Sequence, residues 1–178
     1  MTQNNFPFPS DGKRYYTWNR YLRNEFGKKV YKVALDAGFD CPNRDGTVAF
    51  GGCTFCSAAG SGDFAGNKVD PIPVQFEKIK TKMESKWKDG LTMAYFQAYT
   101  NTHAPLEVLK EKFEAALACE GVMGLSIATR PDCLPDDVVE YLAELNERTY
   151  LWVELGLQTV HEKTANLINR AHDYQTYV

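Results

Sequence analysis

The sequence predicts an α/β fold with a parallel sheet of about four strand-helix units, on three observations. Apolar runs of strand length alternate four times with segments whose apolar residues recur every three or four positions. The connectors are short except after the first run, and repeated units of this kind demand a parallel sheet with right-handed crossovers and the helices outside. The polar motifs fall just beyond the carboxyl ends of the runs, where function gathers in such sheets.

In order, residues 1–12 hold turn formers without a period and read as an irregular arm, and residues 13–27 hold a short helix before Gly27. Residues 29–36 alternate as strand one and run into a glycine-rich loop. The first long helix spans 71–89, with Ile72, Phe76, Ile79, Met83 and Trp87 on one face and Gly90 as its stop. Residues 91–99 are mostly apolar and suit a strand buried on both faces. A helix over 105–119 buries Leu106, Leu109, Phe113, Ala116 and Leu117, with Cys119 as a small buried group at its end. Strand three covers 122–129, the third helix 132–147, strand four 150–157, and a last short helix 162–170.

With 178 residues, 44% apolar and 24% charged, the chain suits one globular domain. No apolar run approaches the roughly 18 to 20 residues that span a bilayer, and the amino terminus lacks the apolar core of a signal peptide, so a cytoplasmic location is expected. In that compartment five cysteines are expected to be reduced, metal-bound or buried. Residues 1–32 carry seven Lys or Arg against two acidic residues, and the remainder thirteen against twenty-one. Aromatics are interleaved with this basic arm (Arg14, Tyr15, Tyr16, Trp18, Arg20, Tyr21, Arg23), a pattern that suits either phosphate contact or packing of an entry segment onto the sheet.

The loop DCPNRDGTVAFGGCTFCSAAGSGDF, residues 40–64, holds Cys41, Cys53 and Cys56, with Gly46, Gly51 and Gly52 between them to let it fold back. A closed zinc site needs four protein ligands and a closed iron–sulfur cluster four cysteines; three leave one metal position open, the mark of a catalytic metal. The alternative is a structural zinc knuckle completed by Cys133 or a histidine.

Cys53-Thr54-Phe55-Cys56 resembles the end of the cluster loop of the radical SAM superfamily. Ser126-Ile127-Ala128-Thr129-Arg130-Pro131-Asp132, Val153-Glu154-Leu155-Gly156-Leu157-Gln158 and Asn169-Arg170-Ala171-His172 follow in matching order. The likeness is to the radical SAM domain of the Elongator catalytic subunit and, more closely, to the YhcC/YtqA-type family, and it covers the chain from about residue 15. It implies a partial TIM-type barrel, with an arm over 1–28 and the radical SAM domain over 29–178. The family usually has six units, so four units imply a shortened form whose exposed strand edge invites dimerisation.

The resemblance further implies that Cys41, Cys53 and Cys56 hold a [4Fe–4S] cluster shielded by Phe55, with S-adenosylmethionine on the free iron. An electron from a donor such as flavodoxin or ferredoxin then yields a 5′-deoxyadenosyl radical, and the substrate class implied is tRNA at a modified wobble uridine. The rival reading is a cluster- or zinc-binding module without activity. Gln97 and Asn101 stand where the family has a Gly-Gly-Glu-like segment that meets the amino group of S-adenosylmethionine. Arg130 is a candidate for its carboxylate, and Ser126 or Thr129 for the ribose, while Asp132 is a candidate helix N-cap and alternative partner of Arg130. Glu154 and Gln158, four apart, should share one face of strand four, with Arg130 as the expected partner of Glu154.

Overall fold

A computed structural model describes residues 12–178; the expected irregular arm lies, apart from residue 12, outside the described residues. Its elements are α1 (Trp18–Phe26), β1 (Val30–Leu35), α2 (Ile72–Glu84), β2 (Leu91–Phe96), α3 (Leu106–Leu117), β3 (Val122–Thr129), a 3-10 turn (Pro131–Cys133), α4 (Asp136–Arg148), β4 (Tyr150–Leu155) and α5 (Glu162–Leu167). The four strands form one parallel sheet in the order β1-β2-β3-β4. This is the partial barrel expected from the strand-helix alternation.

The two faces of the sheet differ because side chains alternate across a strand. Val33, Leu35, Phe96, Leu125 and Ile127 are fully buried together with Phe76, Leu109, Phe113 and Leu145 from α2, α3 and α4. Phe113 sits at the centre, 4.8 Å from the Phe96 ring and 6.4 Å from that of Tyr141. Each such side chain removed from water contributes about 1.5–3 kcal/mol.

The opposite face is concave. In a flat sheet the two edge strands would stand about 14 Å apart, yet Lys32 of β1 forms an ion pair with Glu154 of β4. That contact needs a strongly curved sheet. Ser126 of β3 donates to Glu154 at 2.8 Å and the Tyr95 hydroxyl of β2 donates to it at 3.1 Å, so each strand gives one side chain to a single polar layer.

The amino-terminal ends of the strands are covered by α1. Trp18 packs on Trp152 at 4.0 Å between ring centroids, Phe26 lies edge-on to Tyr150, and Leu22 is buried with Val30 and Met93. Its carboxyl end follows the expected signal, with Gly27 closing it in the left-handed region, while its start lies within the expected span at Trp18, where the Thr17 side chain accepts from the Arg20 amide.

Several expected boundaries move, among them the end of strand four, at Leu155 rather than residue 157, and that of the last helix, at Leu167 rather than residue 170. The first long helix ends at Glu84, not at Gly90, because the Lys86 and Trp87 amides both turn back to the Met83 carbonyl. Strand two stops at Phe96, since Tyr99 takes a φ of 62° and turns the chain out of the sheet. The third helix begins at Asp136 rather than at residue 132. Pro135 forces Leu134 away from helical geometry, so Asp132 falls in the 3-10 turn and is not the N-cap.

Candidate functional site

The cysteine loop lies over the carboxyl ends of the strands and is held by its own backbone. The Cys41 carbonyl accepts from the amides of Arg44 and Asp45, the Pro42 carbonyl from Val48 and Ala49, and the Cys53 carbonyl from Cys56. Gly46 and Gly52 have φ of 90° and 74°, and a Cβ on either would strike the Phe50 ring or the Arg44 side chain. These glycines therefore fix a tight fold rather than merely loosening it. Arg44 donates to the Ser57 carbonyl at 2.6 Å, and the Tyr99 hydroxyl to the Ala58 carbonyl at 2.7 Å, pinning the second half of the loop to the end of β2. At the outer edge Asp45 meets His103 at 2.6 Å. Its carboxyl is lowered to about 2, first by the Thr47 amide, then by the Thr47 hydroxyl and His103.

Beneath the loop lies a cleft of about 370 Å³ that all three thiols line, together with Phe55. No cysteine is in a disulfide. Cys53 is buried, and its sulfur accepts from Asn43 Nδ2 at 3.4 Å and from Arg170 Nη1 at 3.6 Å. Burial pushes the Cys56 thiol up; the Ser61 hydroxyl works against this, while the nearby charges of Cys53 and Cys41 add to it.

Gln97, Thr129, Arg130, Glu154 and Gln158 line the same cleft. Asn101 and Ser126 do not. Asn101 is turned inward, donating to the carbonyls of Phe96 and Ala128 between the ends of β2 and β3, and Ser126 is buried below Glu154. The expected pairing of Arg130 with Glu154 does not form. Arg130 Nε and Nη2 grip the two Asp132 oxygens at 2.8 and 2.6 Å, because the neighbouring turn offers a carboxylate at the right distance for the guanidinium fork. Glu154 is taken by Lys32 instead. Gln158 does not share a strand face with Glu154, since β4 ends at Leu155 and Gln158 sits in the following loop at φ 74°.

A family profile described as the radical SAM superfamily matches residues 41–178. The chain belongs to the radical SAM superfamily. It is 73% identical to the uncharacterized protein YtqA of Bacillus subtilis over all of its own length and 56% of the relative's. It is 42% identical to protein YhcC of Escherichia coli K12 over 88% of this chain and 50% of that one. With the uncharacterized protein MJ0486 of Methanocaldococcus jannaschii it shares 38% identity over 92% of this chain and 50% of that one. The chain spans about half the length of the curated relatives it matches.

Three soft thiol ligands suit iron–sulfur or zinc centres. Of the fourth ligands that a zinc site could take, Cys133 lines a separate pocket with Pro131 and Pro135, and burial pushes its thiol up to about 12. Among the described residues no three His, Cys, Asp or Glu side chains converge closely enough for a single metal ion.

Sequence reasoning missed Lys32, Asn43, Arg44, Tyr95 and Arg170. Arg170 belongs to a segment that the resemblance singled out, without a role attached. Lys32 and Tyr95 carried a subtler signal, as polar interruptions at inward positions of otherwise apolar strands. Among the described residues, no helix is long and apolar enough to cross a membrane.

Proposed function

We propose that the chain forms the cluster- and S-adenosylmethionine-binding part of a radical SAM enzyme, with Cys41, Cys53 and Cys56 as thiolate ligands of a [4Fe–4S] cluster. The observation that carries this reading is that three cysteines, and among the described residues no fourth cysteine and no histidine, line one cleft in a chain of this superfamily. A cluster bound there, reduced by a flavodoxin- or ferredoxin-type donor, would supply the electron that splits S-adenosylmethionine into methionine and a 5′-deoxyadenosyl radical able to take a hydrogen atom from substrate.

The residues of the chain bind and orient. Gln97, Thr129, Glu154 and Gln158 offer hydrogen-bonding groups along the cleft for the polar parts of S-adenosylmethionine. Arg130 reaches the cleft with its charge matched by Asp132. Arg44 and Arg170 line it with no carboxylate among their hydrogen-bond partners, leaving positive charge suited to a carboxylate or phosphate. Phe55 lies over the opening, about half exposed, where it shields the cluster position.

The likeness to the Elongator catalytic subunit extends the proposal to tRNA at a wobble uridine. The basic residues of α1 lie at the far end of strands about 20 Å long, a span that a folded RNA covers and a small metabolite does not. Binding of tRNA should then weaken steeply between about 50 and 200 mM salt and weaken further in Arg20→Glu/Arg23→Glu. Salt-independent or absent binding in a mobility assay would direct the search to small substrates.

The deciding experiment is reconstitution without oxygen. Wild type should gain about four irons per chain and absorbance near 400 nm, and Cys53→Ala/Cys56→Ala should lose both. With dithionite, wild type should then consume S-adenosylmethionine. Iron held without that consumption would favour a cluster-binding module, and zinc in place of iron would overturn the cluster reading.

A further inference from the structure

The segment that follows α5 is sewn into the cysteine loop. The Ile168 carbonyl accepts from the Thr54 amide at 3.0 Å, and the Asn169 carbonyl accepts from Asn43 Nδ2 at 2.6 Å. The Asn169 side chain donates to the carbonyls of Phe50 and Gly52 at 3.0 and 2.8 Å. Asn169 and Ala171 both adopt left-handed φ, at 53° and 58°. Such backbone costs energy in a non-glycine residue and persists only where its surroundings hold it.

Within this clip Cys53 differs from the other two cysteines. It is the one whose sulfur meets two N–H donors, Asn43 Nδ2 and Arg170 Nη1. Cys56 has a hydroxyl, Ser61 Oγ at 3.8 Å. Both donors to Cys53 are deeply buried, Asn43 at 0% exposure and Arg170 at 6%. Neither is satisfied: Asn43 Oδ1 and Arg170 Nε are buried without a partner. The remaining Arg170 contact is to the Gly156 carbonyl, so the guanidinium has no carboxylate to balance it. A buried, unbalanced guanidinium is costly unless a negative charge faces it. A deprotonated Cys53 on a metal cluster supplies that charge at the observed contact.

We propose that Arg170 and Asn43 are positioning residues that hold the Cys53 sulfur and, through N–H···S hydrogen bonds, raise the reduction potential of the cluster bound there. The inference rests on the reading of the three cysteines as cluster ligands. Hydrogen bonds to a ligating sulfur draw off electron density and favour the reduced, more negative cluster. The segment after α5 thereby sets how easily the cluster accepts its electron.

The test compares wild type, Arg170→Lys, Arg170→Met and Asn43→Asp, all reconstituted without oxygen. Iron and sulfide per chain are measured first, then the midpoint potential by mediated dithionite titration followed by electron paramagnetic resonance, with circular dichroism as a check on folding. Arg170→Met and Asn43→Asp should each lower the reduced-to-oxidised ratio at fixed poise about tenfold, or about 59 mV for a one-electron couple. Arg170→Lys keeps the charge and should fall between them and wild type. A folded variant that loses its cluster also supports the clamp, because neither residue is itself a ligand. Full iron content with wild-type potential in Arg170→Met and Asn43→Asp overturns it, and if Arg170→Met fails to fold, the same result in Asn43→Asp and Arg170→Lys does so. Absence of iron from wild type would instead be a failure of the cluster reading.

Discussion

Arg130→Met should destabilise the fold by about 3–5 kcal/mol, the range for breaking a buried ion pair by removing one partner. The side chains of Arg130 and Asp132 are 3% and 15% exposed. Methionine replaces the stem but leaves the Asp132 carboxylate buried without its fork, and the Arg170 carbonyl without the donor it now has at 3.0 Å. The pH dependence identifies the cause. Burial alone would raise the Asp132 pKa, but the hydrogen bonds and charge of Arg130 outweigh it and hold the carboxyl below its ordinary value. A carboxyl lowered in the folded state contributes stability that is present above its unfolded pKa, about 3.9, and lost as pH falls through the folded value.

In the variant burial is opposed only by the charge of His172 and the Asp132 backbone amide, the folded pKa rises, and acidification relieves part of the penalty. The gap between the urea midpoints of the two proteins should therefore narrow as pH falls from 7 toward about 4. A gap that stays constant would mean that the cost does not arise at Asp132. The expected loss also separates two roles for Arg130, since a side chain kept for cofactor binding alone would leave the midpoint nearly unchanged.

Lys32→Met should cost about 1–3 kcal/mol, the penalty for leaving a charged, partly buried acceptor short of a donor. The effect is smaller than at Arg130 because the Lys32 and Glu154 side chains retain 27% and 31% exposure. Burial raises the Glu154 pKa, while hydrogen bonds from Lys32 and Ser126 more than offset it, so its net shift is downward. Glu154 thus stabilises the protein above the ordinary glutamate range, and that contribution is lost as pH falls through its lowered folded value. Removing Lys32 leaves burial opposed only by the Ser126 and Tyr95 hydrogen bonds, so the Glu154 pKa rises and its contribution at neutral pH shrinks. Lys32→Met/Glu154→Leu should recover most of the loss, because a matched apolar pair needs neither charge satisfied. If the double variant is no better than Lys32→Met, the cost lies in lost packing over the Tyr95 ring, which the Lys32 ammonium approaches to 3.9 Å, or in the Ser126 and Tyr95 hydroxyls left without their acceptor.

Much of the fold was legible because its signals are local. The β3 bounds agree with the apolar run, and the buried face of α3 follows from the spacing of Leu109, Phe113 and Ala116. The start of α4 was misplaced although its signal, Pro135, stood in the sequence; Asp132 was read as the N-cap instead. For the site, the cysteine spacing and the glycines between were enough to foresee a folded-back loop. The partners of the inward polar residues were not legible. Arg130 had two candidate partners along the chain, Glu154 and Asp132, and charge could not rank them; the carboxylate two residues away satisfied it.

The sequence by itself determined the alternation of strands and helices, the three-thiol loop and the end of the sheet on which it lies. Periodicity, ligand spacing and turn residues act over a few positions, so they can be read along the chain. Only the tertiary structure decided that Lys32 meets Glu154 across 122 positions, and that Asn43 and Arg170 reach Cys53 from across the loop and from 117 positions away. Those contacts depend on how far the sheet curls and where α5 sets the following segment down, and both are fixed by packing of the whole core rather than by any single stretch.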